Sequence, residues 1–145
     1  MLKNIDPILN ADLLYALRAM GHGDDICIAD TNFPATTMAT KRLIRADGIT
    51  GPRMLQAILS VMPLDDFVPD PALRIEVVDD PNSVPEVCAD YAKILARPDY
   101  GGVALGKIER FEFYRRAKEA FAVVQTGETR LYGCLLLKMG VIRPK

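Results

Sequence analysis

The chain has 145 residues, half of them hydrophobic and 26% charged, which is the size and composition of one globular domain over 1–145 and far from the disordered class. Eighteen Lys and Arg stand against nineteen Asp and Glu, a net charge of −1, so no whole-protein field draws in nucleic acid or an anionic membrane. Apolar runs such as Leu135-Leu136-Leu137 fall far short of the roughly 20 residues of a membrane span.

The opening residues lack the basic, apolar, then small-residue pattern of a secretory signal. Cys27, Cys88 and Cys134 are odd in number and widely spaced, which argues against a disulfide framework or a structural zinc site. Reduced thiols in a cytoplasmic protein are expected. One histidine cannot build a two-His metal site, so no metal is expected.

A first helix is predicted from Ala11 to Met20, capped by Asn10, with Leu13, Leu14, Leu17 and Met20 on one face and Gly21 as its C′ residue. Asp25 to Asp30 reads as a strand apolar on both sides, hence covered on both faces. Thr31-Asn32-Phe33-Pro34 is a turn, and Arg42 to Arg45 a second short strand. Thr50 caps a helix from Gly51 to Met62, with Pro52 in its first turn and Leu55, Ile58 and Leu59 inward. Leu73–Val78 is a strand, Pro85–Leu95 a helix, Val103–Ile108 a strand and Glu109–Ala120 a helix. Phe121–Gln125 and Tyr132–Lys138 close the chain as strands that can pair in a hairpin. Strands alternating with helices predict a single-domain layered α/β fold, with a mixed, mostly parallel sheet flanked by helices.

Among residues that can carry chemistry, His22 lies between two glycines where a helix ends and a strand begins. Its unperturbed pKa of about 6.5 suits proton transfer near neutrality; the ordinary alternative is a polar residue in a turn. Asp30 ends the first strand, at the edge where α/β sheets gather ligands, or else it forms an Asx turn. Glu109 to Arg116 mixes aromatics with cations as RNA-binding surfaces do, but Glu109, Glu112 and Glu119 interleave, so a solvated face is the plainer reading for Arg115 and Arg116. Arg110, at the junction of strand and helix, presents a planar fork suited to ring oxygens. Tyr132 offers a hydroxyl and Gly133 exposed backbone groups, or else the Tyr is a core aromatic. No phosphate loop, dinucleotide fingerprint or nucleophile elbow occurs.

These segments, in this order, resemble the family of D-ribose pyranases and L-fucose mutarotases. The resemblance is carried by Met1 to Pro7, Leu13-Leu14 through Met20-Gly21-His22-Gly23-Asp24 to Ala29-Asp30-Thr31-Asn32-Phe33-Pro34, and Ile44 to Gly48. It continues in Glu109-Arg110-Phe111 with Phe113-Tyr114, Ala120 to Val124 with Thr126-Gly127-Glu128, Tyr132-Gly133, and Lys138 to Ile142. It covers nearly the whole chain, least in Pro63 to Gly102, and leans to the fucose branch through Arg110 and Tyr132-Gly133. The resemblance implies a small α/β subunit in closed homo-oligomers, often ring-built decamers, acting on a monosaccharide without a cofactor. It makes His22 the catalytic acid/base and places Asp30, Arg110, Tyr132, Gly133 and Cys134 at sugar-contacting positions. Cys134 departs from the family's usual Asn, replacing an amide by a weak donor and acceptor.

The expected chemistry is anomer exchange by ring opening and closure. A well-placed acid/base contributes roughly 10²–10⁴-fold. A sugar-binding or sensing protein without catalysis is the alternative.

Overall fold

The side-chain oxygen of Asn10 accepts the Leu13 N–H at 2.9 Å and starts helix α1 (Ala11–Ala19) of the computed structural model, which describes residues 1–145. In chain order there follow β1 (Asp25–Ala29), α2 (Ala35–Met38), β2 (Leu43–Ala46), α3 (Gly51–Leu59), β3 (Ala72–Ile75), α4 (Glu86–Leu95), β4 (Gly106–Ile108), α5 (Arg110–Glu119), β5 (Ala122–Thr126) and β6 (Leu135–Lys138). They build one six-stranded sheet in the order β2-β5-β1-β6-β3-β4. β1 runs parallel to β5, β5 to β2 and β3 to β4, while β6 is antiparallel to both β1 and β3. The sheet is thus mixed and mostly parallel, as expected.

The two-sided apolar character of β1 has a direct structural counterpart. Ile26 and Ile28 enter the larger apolar cluster with Leu13 and Leu17 of α1, Leu55 and Ile58 of α3, and Tyr91 and Leu95 of α4. Cys27 and Ala29 enter the smaller one with Phe113 and Ala117 of α5. Helices therefore cover both faces of the sheet. Burying each Leu or Ile of this kind contributes roughly 1.5–3 kcal/mol, so β1 is the structural axis. No helix is long and apolar enough to cross a membrane. All three cysteines are free and buried.

Several local expectations are corrected. β5 and β6 form no hairpin, because β1 lies between them. The 127–134 connection crosses the end of β1, where the Gly133 N–H bonds Asp30. Tyr132 to Cys134 precede β6 rather than belonging to it, and Tyr132 takes the left-handed conformation (φ 62°). β3 ends at Ile75, since the Val78 N–H is taken by the Tyr132 hydroxyl rather than by a strand. α1 is not closed by a left-handed Gly21: Met20 turns extended, and the Gly21 N–H is received by Asp24 Oδ2 at 2.8 Å. Thr50 occupies the N-cap of α3 without a side-chain hydrogen bond there. The short α2 follows the predicted turn.

Candidate functional site

Asp30 leaves the carboxyl end of β1 and is only 5% exposed. Oδ1 accepts the N–H groups of Asn32 (2.9 Å) and Phe33 (3.0 Å), and Oδ2 accepts that of Gly133 (2.9 Å). The Asx turn is therefore real, and the same carboxylate also faces a cavity. An ionised carboxyl has about four acceptor sites; three are taken by backbone, which leaves about one for a ligand.

The cavity has a volume of about 250 Å³, just below the usual range for small-molecule sites and of monosaccharide scale. Four elements supply its wall. β1 delivers Asp30, with Asn32 and Phe33 just beyond. β3 delivers Ile75, with Val78 following. The first turns of α5 deliver Arg110 and Tyr114, and the segment before β6 delivers Leu131, Tyr132 and Cys134. Part of the lining is apolar, with the Phe33 and Tyr114 rings meeting edge to face at 5.2 Å; the polar groups come from Asp30, Arg110, Tyr132 and Cys134. Of the residues singled out in the sequence, Asp30, Arg110, Tyr132 and Cys134 converge here. Gly133 lies between two of them in sequence but does not itself line the cavity; its N–H instead holds the Asp30 carboxylate. A Cβ there would stand 2.8 Å from the Glu128 side chain and 3.0 Å from that of Asp30, so only glycine allows this approach.

Arg110 is the first helical residue of α5 and its guanidinium stacks 4.7 Å from the ring of Phe111. The neighbouring cations behave differently. Arg115 pairs with Glu112 and Glu119 on the solvent face, as expected. Arg116 does not: it bonds Asp25 at 2.8 Å and is largely covered. Burial, then the nearby Asp30 carboxylate, pushes the Cys134 thiol well above the usual range. It is therefore a protonated S–H at neutral pH.

His22 is not in this cavity. It precedes β1 whereas Asp30 follows it, and a five-residue strand spans roughly 17 Å. At its own end of the sheet, His22 Nε2 lies 3.1 Å from Asp65 Oδ1, and the ring packs at 5.1 Å against Phe67. Asp65 is brought there because its N–H bonds the carbonyl of Lys138, the last residue of β6. The Phe67 N–H on Asp65 Oδ1, with a smaller contribution from His22, holds the carboxyl below the usual range although burial opposes this. An ionised carboxylate only accepts, so Nε2 is the protonated ring nitrogen. In the neutral imidazole, Nδ1 then carries the lone pair. The side chain is 44% exposed. Asp65 was not singled out in the sequence; it lies 43 positions from His22 in no local pattern, and the only signal is that a working imidazole needs an orienting partner.

The model of the RbsD / FucU transport protein family matches residues 3–142. The chain is 50% identical to the human fucose mutarotase over 97% of this chain and 94% of that one. It is 42% identical to an L-fucose mutarotase of Haemophilus influenzae, over 97% of each. It also resembles the crystal structure of the fucose mutarotase of Streptococcus pneumoniae in complex with L-fucose. There the identity is 38%, the TM-score is 0.86, and 98% of this chain and all of that one are covered. From residue 3 to residue 142, then, this chain belongs to the RbsD / FucU family.

Proposed function

We propose that this protein is a sugar mutarotase, interconverting the anomers of a reducing monosaccharide, L-fucose foremost, by acid/base ring opening and closure. The observation that carries the reading is the convergence of Asp30, Arg110, Tyr132 and Cys134 on one small cavity in a chain similar over its length to fucose mutarotases. In the reaction the anomeric hydroxyl loses a proton and the ring oxygen gains one. The open aldehyde rotates and closes on its other face. Every step moves a proton between oxygens, which the chain's own groups can serve.

Within the cavity, the remaining acceptor site of Asp30 takes a sugar hydroxyl, and the Arg110 fork spans ring or hydroxyl oxygens. Phe33, Ile75 and Tyr114 cover an apolar patch of the sugar, for which the methyl group of a 6-deoxy sugar is suited. His22 exchanges the proton through Nδ1, with Asp65 fixing the tautomer.

Since His22 and the cavity lie at opposite ends of β1, the His22 that serves a given cavity comes from a second copy of the chain. Such a head-to-tail contact is heterologous and closes into a ring, in keeping with a homo-oligomer and with the ring-built decamer. Phe67 beside His22, and Leu131 and Phe111 at the cavity end, are each about two-thirds exposed, and their burial between copies favours this contact. The buried free thiols fit a reducing, cytoplasmic setting.

A second reading, a sugar-binding protein without catalysis, is favoured by Cys134 where the family resemblance expects an amide. Saturation-transfer NMR of α/β exchange decides. Exchange of L-fucose well above the buffer rate is expected; binding with exchange at the buffer rate leaves only the second reading.

A further inference from the structure

The segment that carries Tyr132 and Cys134 is gripped from behind by α4. Cys88 and Tyr91 lie three residues apart, on one face of that helix, and donate to successive carbonyls of the segment. Cys88 Sγ reaches the Tyr132 carbonyl at 3.4 Å, and the Tyr91 hydroxyl reaches that of Gly133 at 2.7 Å. From the other side the Gly133 N–H is held by Asp30 Oδ2. The segment needs this hold, because Tyr132 sits at φ 62°, a left-handed conformation that is strained for a bulky residue.

Tyr91 is fully buried, and its hydroxyl occupies the space a Cβ on Gly51 would need. Glycine at the start of α3 is thus what lets the phenol pass. Glu128 accepts the Gly51 N–H at 3.3 Å and lies close enough to Tyr91, after burial itself, to help keep the phenol protonated. The hydroxyl is therefore a fixed donor aimed at one carbonyl.

We infer that Tyr91 is a positioning residue for sugar binding: by holding the Gly133 carbonyl it keeps Tyr132 and Cys134 in their places on the cavity wall. The inference rests on the reading of that cavity as the sugar site. It concerns binding rather than proton transfer, since Tyr91 touches neither the cavity nor His22.

Tyr91→Phe removes one oxygen and keeps the ring. With exchange followed by saturation-transfer NMR across L-fucose concentrations, KM should rise about tenfold, the equivalent of one hydrogen bond. The kcat should stay within about twofold, with its pH profile unmoved. A lowered melting temperature with unchanged KM would make Tyr91 purely structural and overturn the inference. Should Tyr91→Phe fail to fold, the Cys88 pair decides. Cys88→Ala should raise KM by about two- to threefold and Cys88→Ser should restore it, because a hydroxyl still donates; KM unmoved in both would refute the grip of α4. If the unmodified protein catalyses no exchange, the mutarotase reading fails separately. L-fucose affinity by calorimetry then replaces KM, with the same tenfold loss expected for Tyr91→Phe.

Discussion

Asp30 and Gly133, 103 positions apart in sequence, are joined by a 2.9 Å hydrogen bond from the Gly133 N–H to the Asp30 carboxylate. This bond ties the exit of β1 to the segment before β6, which carries Tyr132 and Cys134 to the cavity. Asp30→Asn keeps an oxygen for Asn32 and Phe33 but turns an N–H₂ toward the Gly133 N–H. Two buried donors then face each other, at a cost of about 1–3 kcal/mol. Urea unfolding should show that loss, together with much weakened fucose binding. Unaltered stability would mean that the bond contributes little to the fold.

The His22–Asp65 pair makes a prediction about proton transfer. His22→Ala should lower exchange by roughly 10²–10⁴-fold while the chain stays folded. Asp65→Asn should slow it less, because the amide oxygen can still accept from Nε2–H and from the Phe67 N–H but brings no charge to stabilise the imidazolium formed when Nδ1 takes the proton. Nitrogen-15 chemical shifts of the single imidazole report the tautomer directly. Near-normal exchange in His22→Ala would remove the residue from the mechanism.

Cys134 borders the cavity yet packs in the smaller apolar cluster at 2% exposure. Cys134→Asn replaces a weak donor with an amide beside Asp30. Tighter fucose binding or faster exchange should follow, by up to about tenfold for one neutral hydrogen bond, with a small loss of melting temperature for the buried amide. A lower melting temperature with no gain in exchange or binding would mean that position 134 serves packing alone.

Acid should destabilise the protein through three carboxyls. Asp6 is held below the usual range by Arg53, Glu128 by Arg130 and Asp65 chiefly by the Phe67 N–H. Each titrates lower in the folded chain than in the unfolded one. The unfolded state therefore binds more protons between the two values, and stability falls as pH drops through that window. Urea midpoints should be steady from neutrality to about pH 5 and decline below about pH 4. A midpoint unchanged down to pH 3 would contradict the ion pairing.

Much of the fold is legible in the residues themselves. Consecutive apolar positions at Ile26-Cys27-Ile28-Ala29 leave no solvent side for β1, and each face has its own cluster. The Asn10 cap and the apolar faces of α3, α4 and α5 are local features and are read locally. What escapes such reading is held by distant contacts. The β5–β6 hairpin fails because Asp30 draws Gly133 across the end of β1. Arg116 leaves the solvent face for Asp25. Asp65 and Tyr91 meet His22 and Gly133 only through the tertiary fold. His22 and Asp30 are eight positions apart, near in sequence, but the strand between them is extended and sets them at opposite ends of the sheet.

That separation gives the most direct test of the account. Two inactive proteins, His22→Ala and Arg110→Ala, are mixed in equal amounts, unfolded together and refolded, and L-fucose exchange is measured by saturation-transfer NMR. If each site takes its His22 from one copy and its cavity from the next, about one contact in four joins two intact halves. Activity should then return to about a quarter of that of the refolded unmodified protein. Co-assembled mixtures that remain as inactive as the separate variants would show that the site is not shared, and would contradict the account.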